Sequence, residues 1–150
     1  MTNINRVLFL CTGNYYRSRY AEEIFNHRVA RDGLGWHAFS RAVAEQLSPE
    51  NVGPISRHAL EALAARGIAP TGATRHPVLC TLDDFAQAAL VVALKDAEHR
   101  PMIIQRFAGV AHRVDYWDVD DIEYLDPGTA LGKIDEQVEL LIANLRSRDR

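Results

Sequence analysis

The sequence predicts an α/β domain whose parallel sheet is covered by helices on both faces. Three observations carry this. Short apolar runs alternate with amphipathic stretches along the chain, and Gly, Pro or Asp residues punctuate the changes of period. The 150 residues are 47% hydrophobic and 25% charged, enough for one globular core. Strands that alternate with helices pair in parallel through right-handed crossovers, which place helices on both faces. Residues 1–150 read as a single domain without repeat, linker or low-complexity tract.

Each element follows from its local pattern. Arg6 to Leu10 is a short apolar run that reads as a buried strand. Ser18 to Arg31 carries Ala21, Ile24, Phe25 and Val29 on one helical face, and Asp32-Gly33 ends it. Trp36 to Phe39 reads as the second strand. Pro54 is expected to open a helix bearing Ile55, Ala59, Leu60, Leu63 and Ala64, stopped by Gly67. Thr81-Leu82-Asp83-Asp84 reads as a cap and first turn. Ala89 to Leu94 reads as the third strand, Glu98 to Phe107 as a helix and Arg113 to Val119 as the fourth strand. A last helix carries Leu131, Ile134, Val138, Leu141, Ile142 and Leu145 at helical spacing. Its basic end, Arg146-Ser147-Arg148-Asp149-Arg150, suits the helix dipole.

The chemistry is concentrated in Cys11-Thr12-Gly13-Asn14-Tyr15-Tyr16-Arg17-Ser18, where the first strand hands the chain to the first helix. Unpaired N–H groups and the positive dipole at a helix start favour an anion, and the same field favours a thiolate. Gly13 and Asn14 tolerate positive φ, so successive N–H groups of residues 12 to 17 can curl into an anion-binding nest. Arg17 can grip two oxygens of a tetrahedral oxyanion at once. Ser18 can donate its hydroxyl to the sulfur, and Asn14 can fix the loop through its amide. Cys11 is then the nucleophile and Arg17 its catalytic partner, while Thr12, Gly13, Asn14, Tyr15, Tyr16 and Ser18 form the substrate-binding loop.

With Gly-Asn inside it, Arg-Ser closing it and Tyr20-Ala21-Glu22 following, this loop resembles that of the low-molecular-weight protein tyrosine phosphatases. It is most similar to a bacterial branch with two tyrosines in the loop. The resemblance covers most of the chain, including Trp117-Asp118-Val119 and the last helix. It implies a flavodoxin-like three-layer sandwich with a four-stranded parallel sheet in the order 2-1-3-4. It also implies hydrolysis of phosphomonoesters, phosphotyrosine above all, through a cysteinyl-phosphate intermediate. The expected substrate is a phosphorylated protein or a small phosphomonoester. Phosphate, sulfate and vanadate are the expected ligands, with no cofactor and no metal.

Such a reaction needs an acid for the leaving group and a base for the water, and one carboxyl can serve both. In the family it is an aspartate followed by proline, a few residues past a strand ending in Trp-x-Val. Counting from Trp117-Asp118-Val119 selects Asp121, which is followed by Ile122; the Asp-Pro pair selects Asp126. Strand register favours Asp121, and both remain candidates.

Several positions depart from the family. Tyr16 replaces the cysteine that protects the nucleophile in many relatives, and Cys80 reads as a small buried hydrophobe. Arg19 replaces a proline and reads as a helix-surface residue. The aromatic pair after the acid's proline is replaced by Gly128 and Thr129, leaving Tyr15, Tyr16, Tyr124 and Trp117 as candidate walls. Ser40 can support the loop from behind, and Lys95, Glu98, His99 and Arg100 read as a charged helix start. These departures keep a second reading open, a non-catalytic or weakly active oxyanion-binding regulatory module.

A net charge of −3 opposes a nucleic-acid surface. No apolar run approaches the roughly 20 residues of a membrane span, and a cytoplasmic protein without a membrane partner is expected. Two cysteines make no disulfide framework, and the six histidines lack metal-ligand spacing, so no structural metal is expected. Oligomeric state has no sequence signal.

Overall fold

Four apolar runs pair side by side. β1 (Asn5–Cys11) lies between β2 (Trp36–Ala42) and β3 (Leu90–Ala93), and β4 (Val114–Tyr116) closes the far edge. All three pairings are parallel, in the order 2-1-3-4. The coordinates are a computed structural model and describe residues 4–148. Asp149 and Arg150, the end of the basic tail, lie outside them.

Alternation along β1 builds two cores. Val7, Phe9 and Cys11 face α1 (Arg17–Asp32) and α5 (Pro127–Arg148), where they meet Tyr20, Ile24, Phe25, Leu131, Ile134 and Val138. Leu8 and Leu10 face the opposite layer with Phe85 of α3 (Leu82–Gln87) and Ile103 and Phe107 of α4 (Asp96–Phe107). From Val7 to Cys11 both faces of β1 are buried, while Asn5 and Arg6 at its start are exposed, and each large buried side chain there contributes about 1.5–3 kcal/mol of burial. The result is the expected three-layer α/β sandwich.

The element ends show where local chemistry overrides pattern. α2 spans Arg57–Ala65 and does not start at Pro54; Ser56 is its N-cap and accepts from His58 N–H at 3.2 Å. The Pro54 carbonyl instead accepts from the Arg19 guanidinium at 2.9 Å. α1 ends at Gly33, whose φ of 68° is the left-handed conformation that glycine supplies cheaply. Thr81 and Asp84 close a reciprocal capping box. β2 runs on to Ala42, because Ala42 N–H donates to Val78 and its carbonyl accepts from Cys80 N–H, both at 2.8 Å. β4 is shorter than expected: it starts at Val114, because Arg113 closes the 3-10 turn Ala108–Arg113, and it stops at Tyr116, three residues before Val119. α4 begins at Asp96, two residues earlier than its charge pattern suggested.

Candidate active site

β1 leads into the sheet's switch point, since the chain leaves toward β2 on one side and returns to β3 on the other. Cys11 is its last residue. The carbonyls of Cys11 and Thr12 are tied to Val43 N–H (2.9 Å) and Ala44 N–H (3.2 Å). Residues 12–16 then turn directly into α1, whose start carries no side-chain cap, so its first-turn N–H groups keep their affinity for an anion. Asn14 alone takes the left-handed conformation, with φ of 50°; Gly13, expected to share that role, does not.

A directed hydrogen-bond chain holds the loop from beneath. Asn14 Oδ1 accepts from Arg75 Nη1 and from Val78 N–H, both at 3.1 Å. Asn14 Nδ2 donates to Ser18 Oγ at 2.9 Å and to Ser40 Oγ at 2.8 Å, and Ser40 donates to Glu22 at 2.7 Å. Ser18 Oγ already accepts from Asn14, so its own proton is free for Cys11 Sγ, 3.0 Å away. That polarity suits a thiolate. Asn14, Ser18 and Ser40 are fully buried, so they shape the loop from behind.

Arg17 is 1% exposed. Its Nη1 donates to Glu98 Oε1 (3.1 Å) and the Val119 carbonyl (3.0 Å), and its Nη2 donates to Glu98 Oε2 (2.7 Å). Burial opposes its charge, but the Glu98 hydrogen bond and the proximity of Cys11, Asp121 and Glu98 outweigh that and raise its pKa. Asp121 Oδ2 lies 3.6 Å from Nη2. Asp126 lies elsewhere: its carboxylate accepts from Thr129 N–H and Thr129 Oγ1 in the first turn of α5, both at 2.9 Å, and its carbonyl accepts from Ala130 N–H. The Thr129 bonds hold that carboxyl below its ordinary pKa.

Cys11, Thr12, Gly13, Tyr15, Tyr16, Arg17 and Asp121 line one cleft of roughly 640 Å³. Asn14, Ser18 and Asp126 do not line it. Tyr15 sits on its side and donates its hydroxyl to the Val52 carbonyl. Tyr16 is 6% exposed with its ring near His58, and burial, then Asp121, push its pKa up to about 12. Of the other aromatic candidates, Trp117 is partly buried and packs against Phe9 of the core, 5.4 Å between rings. Tyr124 is exposed beside a shallower neighbouring depression. Cys80 is buried, and burial raises its pKa to about 12.

Besides the hold of Glu98 on Arg17, two features escaped the sequence reading. Residues Ser48, Glu50, Asn51, Val52, Ser56, Arg57 and His58 form a whole wall of the cleft, tied to the loop by Ser56 N–H donating to the Tyr15 carbonyl at 2.9 Å. The other is Arg19, expected on the helix surface. It is 1% exposed and donates to the carbonyls of Asn14 (3.4 Å), Pro54 (2.9 Å), Gly72 (2.7 Å) and Arg75 (2.8 Å).

A cysteine at a strand end, an anion-selective loop and a buried arginine at the following helix start define an enzyme class that attacks phosphoesters through sulfur. The match with known proteins agrees. The model of the low molecular weight phosphotyrosine protein phosphatase family covers residues 6–146, and the chain belongs to that family of cysteine-dependent phosphatases. It is 32% identical over 110 residues to a low molecular weight protein-tyrosine-phosphatase of Synechocystis, covering 71% of this chain and 66% of that protein. It is 30% identical over 108 residues to the protein-arginine-phosphatase of Bacillus subtilis, covering 72% and 67%. Thus the aligned part spans about two thirds of each relative's length. The crystal structure of a low molecular weight protein tyrosine phosphatase from T. tengcongensis superposes with a TM-score of 0.79 at 26% identity, covering 93% of this chain and 99% of that one. No helix among the described residues is long and apolar enough to cross a membrane.

Proposed function

We propose that this chain hydrolyses phosphomonoesters, with phosphotyrosine as its substrate class, through a phosphocysteine at Cys11 and with Asp121 as acid and then base. The Cys11 thiolate attacks phosphorus and the bond to the ester oxygen breaks. Arg17 and the N–H groups of residues 12 to 17 hold the three equatorial oxygens. Protonated Asp121 gives its proton to the departing oxygen, then as carboxylate takes one from the water that displaces sulfur and releases phosphate. Thr12, Gly13, Tyr15 and Tyr16 shape the substrate side of the loop, while Asn14 and Ser18 act from behind.

The observation that carries the choice of acid is the contrast between the two aspartates. Asp121 lies 3.6 Å from Arg17 on the cleft that Cys11 lines, while the Asp126 carboxylate is occupied at the start of α5. An aryl leaving group fits the walls formed by Tyr15, Tyr16, Val52, His58 and Ile122.

The test is turnover of p-nitrophenyl phosphate and of a phosphotyrosine peptide without added metal. Wild type should be active and inhibited by vanadate, and Cys11→Ala inactive. Asp121→Asn should lower turnover of the peptide about 10²-fold or more, while Asp126→Asn lowers thermal stability and leaves turnover nearly unchanged. Equal rates in wild type and Cys11→Ala would overturn the enzyme reading, and the reverse ranking of the aspartates would overturn the acid. Hydrolysis of phosphoarginine, but not of aryl esters, would move the substrate class toward that of the Bacillus subtilis relative.

A further inference from the structure

The Arg17 guanidinium has five N–H donors in a rigid fork. Both Nη1 protons are engaged, one by Glu98 Oε1 and one by the Val119 carbonyl, and one Nη2 proton goes to Glu98 Oε2. Nε is buried and without a hydrogen-bond partner. The two donors that remain, Nε–H and the second Nη2–H, lie on one edge of the guanidinium. That edge is the one able to take two oxygens of a tetrahedral oxyanion together.

Glu98 is itself fixed. Its Oε2 accepts from Thr12 Oγ1, a residue of the anion loop, and lies 3.1 Å from His99 Nε2, which donates to the same Thr12 Oγ1 at 3.1 Å. The His99 tautomer follows from its other nitrogen, since Nδ1 accepts from Lys95 N–H at 3.0 Å and the proton must sit on Nε2. His99 is fully buried. The first turn of α4 thus reaches both ends of the anion loop, Thr12 beside Cys11 and Arg17 at its close.

We infer that Glu98 is a positioning residue. It clamps the far edge of Arg17 so that Nε and Nη2 face the reacting phosphoryl group in one orientation, with His99 and Thr12 holding the clamp. The inference rests on the phosphatase reading above. Pre-set donors count most where charge spreads over the equatorial oxygens in the transition state, and less for a ground-state phosphate that the loop N–H groups also bind.

The experiment compares wild type, Glu98→Gln and Glu98→Asp by steady-state kinetics on p-nitrophenyl phosphate, with inhibition by orthovanadate and by inorganic phosphate. Asp96→Asn, on the exposed side of the same helix start, serves as control. Glu98→Gln is nearly isosteric but sets an amide N–H against guanidinium N–H groups. It should lower kcat about 10-fold or more and weaken vanadate inhibition by a similar factor, while KM and phosphate inhibition change less than about 3-fold. A loss of packing would not separate vanadate from phosphate. If the glutamine variant does not fold, the same divergence is read in Glu98→Asp, which keeps the charge. Unchanged kcat and vanadate inhibition, equal weakening of both anions, or the same divergence in Asp96→Asn would each overturn the clamp. An inactive wild type would overturn the phosphatase reading with it, whereas an active wild type with an unaffected Glu98→Gln would overturn the clamp alone.

Discussion

Arg19 shows what a single side chain can carry in this fold. A charged residue in the first turn of an amphipathic helix ordinarily points to water, and nothing in its neighbours along the chain says otherwise. Here it is buried against four backbone carbonyls from three segments: the anion loop, the cleft wall at Pro54, and the Gly72 to Arg75 turn. Burial, then the neighbouring Arg75, lower its pKa to about 10, which still leaves it charged at neutral pH. Removing it leaves buried carbonyls without donors, and each bond to a charged group is worth about 1.5–3 kcal/mol. Arg19→Ala should therefore lose about 3 kcal/mol or more in urea unfolding. A loss below about 0.5 kcal/mol, the usual range for a surface change, would return Arg19 to the surface role its sequence position suggested.

The junction between β3 and α4 shows how an element end becomes part of a site. Lys95 to His99 reads in sequence as a charged helix start, and that is what it is; its side chains nonetheless do three separate jobs. Lys95 pairs with Asp118 and Asp120 of the segment after β4, Glu98 holds Arg17, and His99 fills the space behind. Burial outweighs the Glu98 contact and lowers the His99 pKa. The unfolded chain therefore binds this proton at about pH 6.5, while the folded protein still resists it. His99 contributes stability that is full above that pH and is lost as pH falls through the lower folded value. Urea stability should drop from pH 7 to 5, and His99→Gln should flatten that slope; identical slopes in the two proteins would contradict the account. Other element ends were readable wherever chemistry is local. The Thr81/Asp84 box and the Gly33 stop were evident, whereas the start of α2 was misplaced because Pro54 offers a helix-start signal that Ser56 answers two residues later.

At the scale of the molecule, the alternation of strand and helix was enough to forecast parallel layers, and the family resemblance supplied the order of the strands. That order sets Cys11 at the switch point and brings the segment after β4 across β3 to the same rim. The anion loop was legible because its residues are consecutive. The wall at residues 48–58, the Arg19 strut and the Glu98 clamp were not, because they depend on contacts between residues far apart in the chain: 35 positions for Arg19 with Pro54 and 81 for Arg17 with Glu98. No periodicity encodes such pairs.

All of this converges on one reacting atom, the Cys11 sulfur. With p-nitrophenyl phosphate the leaving group departs without much help from an acid, so Asp121→Asn should slow mainly the attack of water, and the phosphoenzyme should build up. Rapid acid quenching followed by peptide mass spectrometry should find one phosphoryl group on Cys11 in Asp121→Asn, and none on the corresponding peptide of Cys11→Ala. Phosphate release while Cys11 stays unmodified in Asp121→Asn, or undiminished turnover by Cys11→Ala, would contradict it.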